Sequence, residues 1–230
     1  MEQSPLNKHL VPIAIVVAGM FIAAAIYFGG NTNVQPIAGV GNPQEVEGDI
    51  APVTGEDHVI GSVNADLVVI EYSDTECPYC KVFHNTMHQV VNDYKGRVAW
   101  VYRHFPIAQL HARAAKEAEA TECAAELGGN DAFWRYIDKV FELTNSNDSL
   151  DPNELPKIAV SIGLNEAAFN SCLTSGRYTD FIAESVENAV KAGARGTPHS
   201  IILTRGGQKM LINGAEPLAS VKAKIDSLLK

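Results

Sequence analysis

The segment "VVIEYSDTECPYCKVF", residues 68–83, constrains the fold more than any other part of the chain. The run "DLVVIEY" at 66–72 is β-branched and apolar, and it predicts a strand buried on both faces. Cys77 and Cys80 follow at once. Beyond them Phe83, Met87, Val90, Val91 and Tyr94 recur at i, i+4, i+7, i+8 and i+11, the stripe of an amphipathic helix. "GRVAWVYRHFP" then predicts a second strand over 97–103. The Cys-x-x-Cys pair therefore stands at a strand-to-helix junction inside a β-α-β unit.

That placement gives the two sulfurs different chemistry. At the helix N-cap, free N–H groups and the helix dipole favour a Cys77 thiolate. Pro78 at the first helical position loses no needed donor. Cys80, one turn on, is expected to be shielded, and Cys77 exposed and reactive. A metal reading stays open beside the redox one. Cys80, His84 and His88 are spaced by four, but His88 lies about 12 Å along the axis from Cys80, too far for one ion to reach both ends of the set. A smaller metal-handling group of Cys77, Cys80 and His84 is the alternative. Otherwise His84 and His88 read as solvated helix residues.

Residues 109–193 read mainly as helix. "LHARAAKEAEATECAAEL" ends at Gly128 and Gly129, and "DAFWRYIDKVFEL" carries Phe133, Ile137, Val140 and Phe141 as its apolar stripe. Three shorter helices follow. The chain then changes character: "HSIILT" and "KMLING" predict a hairpin, and a last helix from Pro217 turns Leu218, Val221, Ile225 and Leu228 inward.

The N-terminus bears on compartment. Residues 10–28, "LVPIAIVVAGMFIAAAIYF", hold no charge and make roughly 28 Å of helix, close to the thickness of a bilayer core. Ala23 and Ala25 resemble a signal-cleavage site, but the apolar run passes through it to Phe28, so an uncleaved anchor is the expectation. Lys8 precedes the span, and no Lys or Arg follows until Lys81. The positive-inside rule then keeps 1–9 cytoplasmic and the rest outside. Residues 29–57, with six glycines and three prolines, predict a flexible linker to a folded domain at 58–230. All four cysteines fall in the exported part, where an even count favours disulfides over zinc. A net charge of −9 without basic clusters argues against a nucleic-acid partner.

"VVIEYSDTECPYC", "VYRHFP", "LHARAAKEAEATECA", "FNSCL" and "GARGTPHSIIL" together resemble successive landmarks of the DsbA-like thioredoxin-fold family, especially its membrane-anchored bacterial type. The resemblance covers roughly 58–230. It implies an α/β thioredoxin fold, β-α-β … β-β-α, with a helical insertion at about 109–193, preceded here by a transmembrane helix. It implies that Cys77 is the nucleophile and Cys80 its buried partner. Pro198 would be a cis-proline beside the disulfide, with Thr197 before it, and Glu71 a buried carboxylate handling the Cys80 proton. A Glu71 side chain facing water at the strand end is the other possibility.

The resemblance further implies a structural disulfide between Cys123 and Cys172, which would stabilise by roughly 4 kcal/mol. His111 and Arg103 match family positions, but neither receives a chemical role. The expected activity is a thiol:disulfide oxidase acting on reduced exported proteins, without a cofactor, reoxidised by a membrane quinone-linked partner. A reductase or isomerase is the alternative. Two departures bear on that choice. The dipeptide between the cysteines is Pro-Tyr, without a histidine, and Glu76 sets a negative charge beside Cys77.

Overall fold

The structure, a computed structural model, describes residues 48–229. The expected anchor at 10–28 and the linker up to residue 47 lie outside them. Among the described residues, no helix is long and apolar enough to cross a membrane.

Five strands form one sheet: β1 (His58–Ile60), β2 (Leu67–Ser73), β3 (Val98–His104), β4 (His199–Thr204) and β5 (Lys209–Asn213), in the order β1-β3-β2-β4-β5. β2 and β3 run parallel, joined by helix α1 (Pro78–Tyr94), whereas β4 pairs antiparallel with β2 and β5 with β4. The β-branched runs of β2 and β3 fill the two central positions, where both faces are covered. β1 was not anticipated. It is three residues long, and so short a run carries no readable alternation.

The alternation of β2 divides the domain into two faces. Leu67 and Val69 join Cys80, Phe83, Met87 and Val90 of α1 in one core, closed by Val221 and Ile225 of the last helix, α6 (Leu218–Leu228). Ile70 and Tyr72 face the other way, onto Ala189 and Ala192 around the end of α5 (Thr179–Lys191). Glu71 falls on the first face by the same period of two, which aims a carboxylate at the cysteine helix.

The insertion has a core of its own. Helix α2 (Ala114–Leu143) is two helices meeting at Gly129, whose φ of 72° no helix continues through. Its second half serves two cores. Phe133, Trp134, Ile137 and Phe141 serve the sheet core, while Cys123, Ala124, Tyr136 and Val140 pack with α3 (Glu154–Ser161) and α4 (Glu166–Ser175). The sequence predicted helix from 109, but residues 105–113 are loop and turn up to Ala114.

The described part of the expected linker, 48–57, lies against the domain. Asp49 donates its N–H to the Lys191 carbonyl, and Ile50 and Val53 pack on the α5 face. Arg103 secures the segment through Asp57, at 2.7 and 3.1 Å, and through the carbonyls of Ala51 and Pro52. Glycine and proline content made this stretch read as a tether. An arginine more than forty residues away, which the sequence left without a role, holds it in place.

Candidate active site

Cys77 is the N-cap of α1, with extended backbone, and Pro78 follows at the first helical position, as the spacing requires. Cys80 is fully buried one turn later. Both are free thiols. Cys77 is more covered than expected, at 5% exposure, and its Sγ lies 3.4 Å from the carbonyl of Thr197. The residue presented to solvent is Tyr79, 66% exposed. The Thr197–Pro198 peptide is cis, and Pro198 is buried at the head of β4. Cys77, Cys80, Thr197 and Pro198 are thus brought together from opposite ends of the chain. A shallow groove beside them, about 480 Å³, is lined by Tyr79, Thr197, Pro198, Asn213, Glu216 and Pro217.

The two thiols diverge in acidity. The hydrogen bond from Cys80 lowers Cys77 to about 6, helped by the N–H groups of Cys80 and Tyr79 and opposed by burial. Burial first, and then the neighbouring Cys77, raise Cys80 well above the ordinary thiol range. One proton is thus held on the inner sulfur while the outer one is thiolate near neutral pH.

Glu71 does not face water. It is fully buried on the Cys80 face of β2, and burial raises its carboxyl to about 7, against a hydrogen bond from the Trp100 indole at 2.9 Å. Its other oxygen has no hydrogen-bond partner. A carboxyl so placed is half-protonated near neutrality and can exchange a proton with a neighbouring thiol.

Glu76 behaves differently from the expectation that it would oppose the Cys77 thiolate. Its side chain is fully buried and turned away, accepting from the Thr144 hydroxyl at 3.0 Å and from the N–H groups of Ser149 and Leu150. Burial first, and then Glu76, push Glu117 up to about 8. Glu76 is therefore an anchor for the 144–150 loop. What works against the Cys77 thiolate is burial.

Two residues that sequence reasoning missed, Asp74 and Glu122, tie other segments together. Asp74 accepts from the Glu76 N–H at 2.8 Å, the Ile107 N–H at 2.8 Å and the His111 ring at 2.9 Å. It fixes both the approach to Cys77 and the turn that carries His111. Burial alone would lower His111, but the Asp74 hydrogen bond and charge outweigh it and raise it. Asp74 is three residues before Cys77, and only its two distant donors, Ile107 and His111, mark it out. Glu122 similarly accepts from His58 at 2.9 Å and His104 at 2.7 Å, tying β1 and β3 to α2.

Cys123 and Cys172 form a disulfide between α2 and α4, with Cα atoms 5.8 Å apart, in the core of the insertion. For the metal alternative the geometry is unfavourable. Among the described residues, no cluster of three possible ligand side chains includes Cys77 or Cys80. His84, expected to be solvated, is 3% exposed.

The thioredoxin family profile matches residues 53–217. Among solved structures, the chain is similar to DsbA2 of Pseudomonas aeruginosa, at 27% identity and a TM-score of 0.66, over 77% of this chain and 97% of that one. It is similar also to α-DsbA1 of Wolbachia pipientis, at 25% identity and a TM-score of 0.66, over 76% and 92% of the two chains. The Na(+)/H(+) antiporter NhaA 3 of Salinispora tropica is 37% identical over 142 residues, 62% of this chain. The chain spans about a fifth of the length of that relative, 21%. The chain belongs to the thioredoxin family, and within it to the DsbA-like thiol-disulfide oxidoreductases.

Proposed function

We propose that the protein is an extracytoplasmic thiol:disulfide oxidase that donates the Cys77–Cys80 disulfide to reduced exported proteins. The observation that carries this reading is the asymmetry of the two sulfurs. Cys77 is stabilised as thiolate, beside the groove lined by Tyr79, Thr197 and Pro198, and Cys80 is held as thiol beneath it. Stabilising the reduced form makes the disulfide a stronger oxidant.

A substrate thiolate attacks Sγ of Cys77, the bond between Cys77 and Cys80 breaks, and Cys80 leaves with the electron pair. Glu71 supplies its proton. A second substrate thiolate then attacks the substrate sulfur of the mixed disulfide, and Cys77 leaves as thiolate. Two electrons pass to the enzyme, and one substrate disulfide forms. Thr197 and Pro198 position the substrate segment: the edge beside a proline offers carbonyls for strand-like pairing. A quinone-linked membrane partner would reoxidise the pair, and an anchor at 10–28 would hold the domain near it.

The Cys77 value of about 6 falls between those of thioredoxin, about 7, and of the most oxidising relatives, about 3.5. The expected potential is correspondingly intermediate, between about −270 and −120 mV. A redox titration of the full chain against glutathione buffers tests this. A single two-electron transition in that interval, with Cys123–Cys172 oxidised throughout, is the expected result. A potential at or below about −270 mV would replace the oxidase with a reductase.

A further inference from the structure

His84 and His88 lie one turn apart on α1, on the face that meets the second half of α2. Each turns Nε2 to the same carboxylate oxygen. His84 Nε2 is 2.7 Å and His88 Nε2 2.9 Å from Oδ1 of Asp138, and the two nitrogens are 3.1 Å apart. Neutral imidazole has one N–H, so protons do not satisfy this triangle. If both Nε2 atoms are protonated, both donate to Asp138, and two N–H groups face each other across 3.1 Å. If one donates to the other, the bare nitrogen turns its lone pair on the carboxylate. A cation meets all three contacts at once.

The dimensions fit. Ligand atoms bound tetrahedrally at about 2.0–2.1 Å are roughly 3.3 Å apart, about 0.2 to 0.6 Å beyond the observed separations. Trp100 packs against both imidazoles, with ring centres 5.1 and 5.2 Å away, and Phe141 is 4.5 Å from His84. The ligands are therefore held on two helices by aromatic packing. A cleft of about 490 Å³, lined also by Lys81, Asn85 and Glu142, leaves the fourth position open to water. Lys81 is the cation that competes there, and its ammonium is tied to the carbonyls of Glu142 and Thr144.

We propose that His84, His88 and Asp138 form a binding site for a divalent transition-metal ion of the Zn²⁺ class, separate from the Cys77–Cys80 pair. Two imidazoles and one carboxylate are borderline ligands suited to such ions, and three protein ligands with an open position describe an exchangeable site. Nδ1 of His84 is buried without an acceptor, so the outer hydrogen bond that strengthens most histidine ligands is missing, and binding is weaker than in closed structural sites.

The test is a Co²⁺ titration of the full chain with Cys77–Cys80 oxidised, followed by Zn²⁺ displacement. Both tryptophans of the chain, Trp100 and Trp134, lie within 6.4 Å of the histidine rings and report occupancy by quenching. One equivalent should bind, with visible d–d absorption and no sulfur charge-transfer band. His88→Ala and Asp138→Asn should each weaken binding at least tenfold with unchanged circular dichroism, and Cys77→Ala/Cys80→Ala should bind like the parent. Binding absent up to about 1 mM, indifferent to both substitutions, or lost with the cysteines would overturn the proposal.

Discussion

The two cysteine pairs of this molecule have the same elements available and opposite surroundings. Cys123 and Cys172 sit inside helices of the insertion, 49 residues apart, among Ala120, Ala124, Tyr136 and Phe169. Both sulfurs are buried, and the polar side chain near them is Glu126, whose Oε2 is 3.8 Å from Sγ of Cys172. Cys77 and Cys80 share one helical turn, and their surroundings differ in every respect that sets acidity. One has helix N–H groups and the Thr197 carbonyl, and the other has the sheet interior and Glu71. A long loop closed in an apolar core gains stability from its disulfide. A short loop with unequal sulfurs gains little and exchanges readily.

The sharpest way to break this comparison is to remove one sulfur from each pair. Cys77→Ala should reduce dithiol oxidation to background, and Cys80→Ala, offered a disulfide-bonded substrate, should attack it through the Cys77 thiolate, release one substrate thiol and hold the mixed disulfide, seen as a reductant-sensitive adduct. Cys123→Ala/Cys172→Ala should cost roughly 4 kcal/mol, or on the order of 10 °C in Tm, and leave the potential of the first pair within about 10 mV of the parent. Loss of oxidase activity in that double variant at a temperature where it remains folded would erase the division between the pairs.

Glu71→Gln probes the inner sulfur alone. Exchange should slow roughly tenfold to a hundredfold, the lower range for a positioned acid or base, with the Cys77 titration still visible by thiolate absorbance. The potential itself should fall with pH by about 59 mV per unit below pH 6 and by about 30 mV per unit above it, because above Cys77's value of about 6 the reduced enzyme carries one fewer proton. A constant slope through pH 6 would remove the asymmetry.

The smallest expected effect concerns stability. Glu71 and Glu117 rise to about 7 and about 8 from 4.5, so the folded state binds more protons than the unfolded one across that interval. Their contribution falls as pH rises from about 4.5 to 8. Glu122, lowered mainly by His104 and His58 against its burial, acts in the opposite sense: its contribution is present above 4.5 and lost below. In the oxidised protein, where Cys77 does not titrate, Glu117→Gln should therefore raise Tm at pH 8 by on the order of 3 °C and change it little at pH 5.

Much of the fold was legible because periodicity reports burial. The runs of β2 and β3, the stripe of α1 and the terminal hairpin all appear where the pattern put them, within a residue or two. The break of α2 at Gly129 was legible too, whereas the short β1, the split packing of α2 and the docking of 48–57 were not. Each depends on a distant partner: β3 for β1, the split packing of α2 on two cores, and Arg103 for the docked segment. The charged residues divide the same way. The burial of Glu71 was implied by the family resemblance, whereas the direction of Glu76 was not legible, because it is set by donors at 144–150, some seventy residues on.

The sequence by itself determined the Cys-x-x-Cys pair, its place at a strand-to-helix junction, the family, and the partition of the chain into a β-α-β start, a helical block and a β-β-α end. These follow from short-range spacing, and a turn of helix or a pleat of strand has only one period. The tertiary structure alone decided how covered Cys77 is, that Glu76 turns away from it, and that His84 and His88 converge with Asp138. Those outcomes depend on which groups from remote segments meet in a low-dielectric interior. There, burial and one or two hydrogen bonds outweigh anything a neighbour in the chain supplies.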